Sequence, residues 1–406
     1  MTNTSFTSPQ VHKIISAINA EGGEIRFVGG CVRDYLCGLE VNDVDLATNL
    51  QPLIVVCILQ NAGIKVIPTG IAHGTVTAVV DDEKFEITTL RVDKETDGRH
   101  AKVEFTDSWY LDAARRDFTI NAMSLDAKGN LYDYFGGVED LAAGRVRFIG
   151  RPEDRINEDY LRILRYFRFY AKYGRAPLVP VDLNAIKKLA HNIPSLSVER
   201  IWVEMSKMLV LPNVLNALMK MNDAGVLYHT FPEAPGSLFT LKQLMVVEQH
   251  YNDVSSLRRL AALMPKNFKN AGFLADRMKF SCEDKEKFTF LFSDRVYDCF
   301  EYGGVASALC YKFGKDKVKS WAMLRAAKLE SRFTESYKLV DDIDNYVHID
   351  FPFGGEHAIS LGVKPGPKMG SLIAEVEDWW LQNYRRPSLG ECLNYAKDEV
   401  INDNNQ

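Results

Sequence analysis

A pair of glycines followed by an arginine is the first feature of this sequence that points to chemistry. Gly29 and Gly30 follow the apolar stretch IRFV at residues 25–28, and Arg33 comes three residues later. A Gly-Gly step between a strand and a helix lets backbone N–H groups approach an anion, and the start of the helix adds partial positive charge. We therefore expect this segment to bind phosphate, with Arg33 as a fixed cation. A tight turn without a ligand is the alternative interpretation.

Two aspartates a few residues later predict a metal site. Asp43 and Asp45 lie on one face of VNDVDL, residues 41–46, whose alternation predicts a strand. Residues two apart on a strand are roughly 6–7 Å apart at the backbone, close enough for their carboxylates to share divalent cations that bridge nucleotide phosphates. Glu86, on the polar face of a strand predicted over residues 84–89, is the best candidate for a third catalytic carboxylate, although a solvated strand face explains it equally well.

A polar ridge on a predicted helix carries one carboxylate and three guanidinium groups. At about 100° per residue, Asp159, Arg162, Arg165 and Arg168 cover about half the circumference of a helix predicted over residues 159–170, and apolar residues occupy the other half. A salt-bridged amphipathic helix is the alternative interpretation.

The first two members of this ridge could read a base. A carboxylate accepts hydrogen bonds and a guanidinium donates them. Cytosine and adenine present an amino donor beside a ring-nitrogen acceptor, whereas uracil and guanine present the reverse order. Because mismatched buried polar groups are costly, Asp159 with Arg162 predicts selection of C and A over U and G without a nucleic-acid template.

The elements that must position these residues change character along the chain. Short strands are predicted over residues 25–28, 41–46, 75–80 and 84–89. Beyond Gly144, helical periodicity dominates, for example over residues 159–170, 182–191, 199–209 and 213–223. We therefore expect an α+β, multidomain chain: an N-terminal head with a small mixed β-sheet and helices, followed by an all-α remainder.

Composition limits the class of protein. The 406 residues are 46% hydrophobic and 25% charged, which excludes a disordered, collagen-like or coiled-coil chain. A formal charge of −5 argues against nucleic-acid binding by the whole surface, although it allows a local basic track. Seven scattered cysteines without a Cys-x-x-Cys predict neither a disulfide framework nor a zinc site. The absence of a long apolar run and of a targeting pattern predicts a cytoplasmic protein with no membrane partner.

Five motifs, in order, resemble those of class II tRNA nucleotidyltransferases, the CCA-adding enzymes of the DNA-polymerase-β-like superfamily. They are FVGGCVRD at 27–34, DVD at 43–45, RRDFTINAM at 115–123, EDYLR at 158–162 and SVERI at 197–201. Any one of them is weak evidence, but the ordered set is specific and covers roughly the first half of the chain.

This resemblance implies a domain layout and a reaction. The layout is seahorse-like, with a nucleotidyltransferase head at 1–150, a base-recognising neck at 151–225, and a body at 226–335 and tail at 336–406 that bind tRNA. The reaction is template-independent addition of C, C and A to the tRNA 3′ end from CTP and ATP, with release of pyrophosphate. The expected partners are the 3′ end and acceptor arm of tRNA, and no obligate protein partner is evident.

The resemblance also implies roles for single residues. The counterparts of Asp43 and Asp45 bind two catalytic Mg²⁺ ions, and the counterpart of Asp117 contacts the ribose 2′-hydroxyl, which favours ribonucleotides. Glu199, Arg200 and Glu204 match a neck motif that shapes the pocket. The residues that we assign to nucleotide binding are Gly29, Gly30, Arg33, Arg116, Asp117, Asp159, Arg162, Arg165 and Arg168.

Two further segments have predicted roles. Residues 91–105, with Asp97 and Arg99, resemble the flexible loop that the family needs to add the terminal A, which favours full CCA addition over a CC-only enzyme. Residues 311–332 hold seven basic residues against two acidic ones and could follow the tRNA phosphate backbone, although a solvated face explains them equally well. Those assigned to tRNA binding are Lys312, Lys315, Lys317, Lys319 and Arg325.

Two alternatives remain at this level. A poly(A) polymerase shares the head motifs, but usually carries a Gly-basic-basic-Phe stretch where this chain has GIAHGT at residues 70–75. A non-catalytic RNA-binding scaffold with a decayed head is the other alternative. Decay would erode the metal-binding carboxylates first, and both Asp43 and Asp45 are present.

Overall fold

A computed structural model describes residues 6, 8–41, 43–68, 70–96, 101–234, 238–265, 268–293, 305–328 and 333–404. The chain divides into two compact units, Met1–Pro232 and Glu233–Gln406. The finer division of the sequence into head, neck, body and tail stays a prediction.

The first unit contains the β-structure of the described residues. Its strands are β1 (Ile25–Val28), β2 (Asp45–Thr48), β3 (Lys65–Ile67), β4 (Thr75–Val80), β5 (Glu83–Thr89), β6 (Arg91–Thr96), β7 (Ala101–Phe105), β8 (Ser124–Leu125) and β9 (Leu131–Tyr132). Seven of these described strands form one mixed sheet in the order β3-β4-β5-β2-β1-β8-β9, and β6 pairs with β7 as a separate antiparallel hairpin. Within the sheet, β2 and β5 run parallel and the other neighbours antiparallel.

Helices surround this sheet and continue beyond it. They are α1 (Pro9–Ala20), α2 (Gly30–Leu36), α3 (Pro52–Asn61), α4 (Trp109–Ala114), α5 (Gly137–Ala143), α6 (Pro152–Glu158), α7 (Leu161–Tyr173), α8 (Pro180–Leu189), α9 (Val198–Leu209), α10 (Val214–Asp223) and α11 (Val226–Thr230). The apolar face of α7, with Ile163, Leu164 and Phe167, is fully buried, and α7 packs against α9 and α10. Its polar face is thereby left for the side chains of the predicted ridge.

The second unit is helical throughout its described part. Its helices are α12 (Phe239–Tyr251), α13 (Ser256–Leu263), α14 (Ala271–Arg277), α15 (Cys282–Phe290), α16 (Val305–Phe313), α17 (Lys315–Lys328), α18 (Phe333–Asp344), α19 (Gly355–Ser360), α20 (Pro367–Gln382) and α21 (Leu389–Asn404). The buried carboxylate of Glu248 bonds the guanidinium groups of Arg258 at 3.0 Å and Arg259 at 2.5 Å. No helix among the described residues is long and apolar enough to cross a membrane. The expected α+β class, a mixed sheet followed by helices, is confirmed.

Two predicted elements begin later than expected. The strand predicted over residues 41–46 begins at Asp45, because β1, which pairs with β2, ends at Val28 and the chain turns away at Gly29 with a φ of 72°. The helix predicted from Asp159 begins at Leu161. Asp159 is extended, with a φ of −159°, and its carboxylate accepts the N–H of Leu161 at 3.1 Å. Such a bond from side chain to backbone competes with helix formation.

A buried carboxyl group supports the backbone that leads to the predicted site. Asp182, in the first turn of α8, is 1% exposed, and its Oδ2 accepts the N–H of Phe148 at 3.2 Å. Phe148 forms a β-bridge with Phe118. Burial raises the pKa of Asp182 to about 7, opposed by this hydrogen bond and by the Arg147 guanidinium.

We expect Asp182→Asn to stabilise the protein above neutral pH. Because the pKa of Asp182 is higher in the folded chain than in the unfolded one, the folded state binds more protons between these values, and the free energy of unfolding falls as pH rises through that window. The amide is never charged and can still accept the Phe148 N–H. Urea unfolding at about pH 8 should show a gain on the order of 2–4 kcal/mol that disappears at about pH 4.

Asp154→Asn, at an exposed carboxylate on α6, is the control and should leave the unfolding midpoint unchanged. A midpoint for Asp182→Asn that equals the wild-type value at both pH values would contradict the interpretation.

Candidate nucleotide-binding site

A cavity of about 480 Å³ in the first unit collects most of the predicted site residues. Its lining consists of Gly29, Gly30, Arg33, Asp45, Arg115, Arg116, Asp117, Asn121, Asp159, Arg162, Arg165, Arg168 and Phe169. All nine residues assigned to nucleotide binding are among them, together with one of the proposed metal ligands. Asp43 and Glu86 lie outside this lining.

The glycine turn and Arg33 form one end of the cavity. Gly29 has a positive φ of 72°, and a Cβ atom there would lie 2.8 Å from Nη1 of Arg116, so a larger residue would be both strained and crowded. Arg33 is buried on α2 with its guanidinium over the rings of Phe169 and Tyr173, at 5.0 and 4.6 Å from their centroids. These rings orient the cation, and its Nη2 also lies 3.0 Å from the carboxylate of Asp34.

Asp45 lines the cavity, and two further carboxylates, those of Glu86 and Asp43, are near enough to influence its ionisation. Asp45 opens β2 and stands in register with Glu86 on the parallel strand β5. Burial raises the pKa of Asp45, and the carboxylates of Glu86 and Asp43 act in the same direction, against the Arg116 guanidinium. Like charges that repel one another in this way are relieved by a cation, and carboxylate oxygens suit Mg²⁺.

Asp43 is exposed and precedes the strand instead of sharing its face with Asp45. Among the described residues, no three carboxylate, imidazole or thiol side chains already converge as a metal site. The carboxylate oxygens of Asp43 and Asp45 are of the type that Mg²⁺ prefers. Their role as metal ligands, like that of Glu86, stays a prediction.

Asp117 lies at the centre of a buried hydrogen-bond network. Its Oδ1 accepts the N–H of Phe118 at 2.9 Å and the side-chain amide of Asn121 at 2.8 Å, and its Oδ2 accepts from Nε of Arg165 at 2.7 Å. Burial opposes ionisation, but the Arg165 guanidinium and the Asn121 amide outweigh it and lower the pKa of Asp117. The Asp117 carboxylate is therefore charged and its orientation is fixed.

Glu204 extends this network to the next turn of α7. Its buried carboxylate bonds Nε of Arg168 at 2.5 Å and lies 3.6 Å from Nη1 of Arg165. Arg165 therefore stands between the carboxylates of Asp117 and Glu204, which hold it from both sides. The sequence predicted a supporting role for Glu204, and in the structure its carboxylate contacts both Arg165 and Arg168.

Asp159 and Arg162 reach the same cavity from different elements. Asp159 occupies the break before α7, and its Oδ2 accepts from Nη2 of Arg200 at 2.6 Å. Arg162, in the first turn of α7, bonds the Glu158 carboxylate and the backbone oxygen of Arg155, the latter at 2.9 Å. The predicted acceptor and donor are thus together, although not on one helical ridge.

The sequence did not single out Arg115, Asn121 and Phe169, which also line the cavity. Arg115 and Asn121 stand inside the motif RRDFTINAM, so proximity in sequence was an available signal. Asp112 was also missed: its buried carboxylate bonds Nε of Arg115 at 2.9 Å and Nη2 of Arg116 at 3.2 Å. An acid three and four residues before two arginines is a helical ion-pair pattern that could have revealed it.

The segment predicted to be a flexible loop contains the β6–β7 hairpin. Asp97 and Arg99 lie outside the described residues. Their role in adding the terminal A therefore stays a prediction.

The basic residues predicted to bind tRNA lie in the second unit, near acidic groups. Lys312 bonds Asp378 at 3.1 Å, Lys317 bonds Glu286 at 2.5 Å and Lys319 bonds Asp344 at 2.7 Å. Lys315 donates to the backbone oxygen of Asp344 at 2.8 Å, and the Arg325 guanidinium lies 5.2 Å from the centroid of Trp321. Counting charges along residues 311–332 therefore overstated the local positive charge, and tRNA binding by these residues stays a prediction.

Two family models match parts of this chain. Residues 25–147 match a family described as "Poly A polymerase head domain", and residues 182–236 match one described as "Probable RNA and SrmB- binding site of polymerase A". These two regions include the glycine turn, the carboxylates and α9. The match to the head domain alone does not distinguish a CCA-adding enzyme from a poly(A) polymerase, because both share these motifs.

Relatives along the whole chain make that distinction. "CCA tRNA nucleotidyltransferase 1, mitochondrial" of Danio rerio is 38% identical over 376 residues, which cover 91% of this chain and 86% of that protein. The "CCA-adding enzyme" of Streptococcus pneumoniae (strain CGSP14) is 33% identical over 390 residues, covering 92% and 94%. The solved Bacillus stearothermophilus CCA-adding enzyme in complex with CTP matches with a TM-score of 0.79 at 25% identity, covering 98% of each chain. The resemblance carried by the five motifs is thereby confirmed, and the chain belongs to the class II CCA-adding tRNA nucleotidyltransferases.

Proposed function

We propose that this enzyme adds C, C and A to the 3′ end of tRNA without a template, using CTP and ATP and releasing pyrophosphate. The observation that carries the proposal is the single cavity in which Arg33, Asp117, Asp159 and Arg162 meet. Cationic, sugar-binding and base-reading groups therefore surround a space suited to one nucleotide. Both substrates share a triphosphate and a ribose, and both bases present the same donor–acceptor order to Asp159 and Arg162.

The proposed metal ions are two Mg²⁺, held by Asp43 and Asp45, with Glu86 opposite Asp45 on β5. When bound, Mg²⁺ lowers the pKa of the attacking hydroxyl and neutralises charge on the triphosphate and the departing pyrophosphate. The support for these ligands is the raised pKa of Asp45, which reflects burial and the facing carboxylates of Glu86 and Asp43.

The remaining work falls to positioning and charge. Arg33 and Arg116 face the triphosphate, Asp117 accepts the ribose 2′-hydroxyl, and Asp159 with Arg162 pairs with the base. Each of these side chains is held by another protein group, so little reorganisation is needed when the nucleotide arrives. Nucleotidyl transfer requires little covalent chemistry from the protein, and such preorganisation is the main contribution available.

The proposal also includes completion of the tRNA 3′ end, the contacts with tRNA and the cellular location of the enzyme. The segment at residues 91–105, which contains the paired strands β6 and β7, is proposed to assist addition of the terminal A. The basic residues of α16 and α17 are proposed to contact tRNA phosphates. A cytoplasmic location stays part of the proposal.

We expect Asp45→Asn to abolish nucleotide incorporation without destabilising the fold. The amide removes a charge that repels Glu86 and Asp43, so thermal stability should be equal or higher, whereas loss of a metal ligand should lower kcat by about a thousandfold or more. The measurement is incorporation of labelled CTP and ATP into tRNA lacking its 3′ end. Glu83→Gln, at an exposed end of β5, is the control. Undiminished incorporation by Asp45→Asn would refute the metal assignment.

Glu204→Gln should weaken nucleotide binding more than it slows chemistry. Without this charge, Arg165 and Arg168 lose a shared anchor, and KM for both CTP and ATP should rise by about tenfold. Steady-state kinetics at saturating tRNA provide the measurement, with melting curves to confirm folding. Lys207→Gln, exposed on the same helix, is the control. An unchanged KM for both nucleotides would show that Glu204 does not position these arginines for binding.

Neutralising Lys315, Lys317 and Lys319 together with glutamine should make tRNA binding less dependent on salt. Each lost phosphate contact lowers the slope of log Kd against log salt concentration by about 0.7–0.9. Filter binding of tRNA across a salt series provides the measurement. The double variant Lys13→Gln and Lys65→Gln, at exposed positions on α1 and β3, is the control. An unaltered slope in the triple variant would remove these lysines from the tRNA interface.

A further inference from the structure

The side chain of Asn121 connects two ends of the nucleotide cavity. Asn121 is buried in the 3₁₀ turn Thr119–Asn121. Its Oδ1 accepts from Nη1 of Arg33, and its Nδ2 donates to Oδ1 of Asp117 at 2.8 Å. Its backbone oxygen accepts from Nη1 of Arg116 at 3.2 Å. One residue therefore contacts both proposed triphosphate arginines and the proposed ribose contact.

An amide side chain matches both side-chain partners at once. The Arg33 guanidinium offers donors alone, and the Asp117 carboxylate offers acceptors alone, so the residue between them must accept on one side and donate on the other. A carboxylate at this position would suit Arg33 and repel Asp117. An apolar side chain of similar size would remove one hydrogen bond from each partner in a buried place.

We propose that Asn121 is a positioning residue that fixes the Asp117 carboxylate relative to Arg33 and so sets the preference for ribonucleotides over deoxyribonucleotides. This inference rests on the proposed function, since it assumes that Asp117 contacts the ribose and Arg33 the triphosphate. Asp117 is held from its other sides by the Phe118 N–H at 2.9 Å and by Arg165 at 2.7 Å. Asn121 supplies the contact that joins this sugar-side group to the phosphate side.

Asn121→Asp gives a test with a distinctive dependence on pH. The new carboxyl group would face Asp117, and two carboxylates this close cannot both be charged at low cost, so one of them binds a proton more readily. The other charged groups around the pair are Arg33 and Arg116 near position 121, and Arg165 and Arg162 near Asp117. Arg33 in turn pairs with the Asp34 carboxylate at 3.0 Å. A protonated carboxyl can donate to Asp117 and accept from Arg33, which reproduces the pattern of the amide.

At about pH 8.5 we expect kcat/KM for CTP in Asn121→Asp to fall by about 10- to 100-fold, and the preference for CTP over dCTP to fall by about tenfold. Both should recover toward wild-type values as the pH is lowered to about 6. Asn121→Leu should remain impaired throughout this range, because the leucine side chain forms no hydrogen bonds and does not titrate.

Asn130→Asp is a matched control. Asn130 also donates from Nδ2 to a carboxylate, Oδ2 of Asp126 at 2.8 Å, but in an exposed turn outside the cavity. The same substitution there should leave kcat/KM and the CTP preference unchanged at every pH.

Three results would overturn the inference: an unchanged CTP preference in Asn121→Asp at high pH, a loss that does not depend on pH, or a loss that follows the folded fraction measured by melting curves at each pH. Failure of the proposed function is a separate outcome, since the wild-type protein would then not incorporate CTP at all.

Discussion

The structure of the site depends on how the positive charges of six arginines in one cavity are balanced. Their guanidinium groups repel one another, and in the proposed function they also attract a triphosphate. The six arginines are Arg33, Arg115, Arg116, Arg162, Arg165 and Arg168. Carboxylates from several elements of the fold form ion pairs with these guanidinium groups and reduce the repulsion between them. Asp112 holds two of these arginines, Asp117 and Glu204 hold Arg165 between them, and Glu204 also holds Arg168. Because buried ion pairs require good geometry on both sides to offset their desolvation, each carboxylate also restricts where the guanidinium can point.

The fold supplies these partners from segments far apart in sequence. The Gly29 turn between β1 and α2 places Arg33 at one end of the cavity, and α7 places Arg165 and Arg168 on successive turns. The break before α7 frees the Asp159 side chain to meet Arg200 of α9. The parallel pairing of β2 with β5 brings Glu86, which is not a lining residue, opposite the lining residue Asp45. The repulsion between their carboxylates favours binding of a cation. The proposed nucleotide-binding groups and the proposed metal ligands therefore depend on different contacts of the same unit.

Local pattern was sufficient to predict some of this arrangement. The strand at Ile25–Val28 and the strand at Thr75–Val80 were predicted correctly because short apolar or alternating runs are bounded by glycine and polar turns. The residue types of the cavity were also predictable, since their chemistry and spacing are visible in the sequence. The ion pair of Asp159 was not predictable, because its partner Arg200 lies 41 residues away. The acids that neutralise the lysines of α16 and α17 were missed for the same reason: Asp378 is 66 residues from Lys312.

The central claim is that this cavity selects C and A by hydrogen bonding alone, in an order set by the growing tRNA end. Sequencing the products made with CTP alone, ATP alone or both, on tRNAs ending before C, before the second C and before A, tests it most directly. We predict that CTP alone extends the end to CC and stops, that ATP alone extends only a tRNA already ending in CC, and that both together give CCA and no more. Runs of A from ATP alone, or addition of A regardless of the 3′ end, would contradict the account.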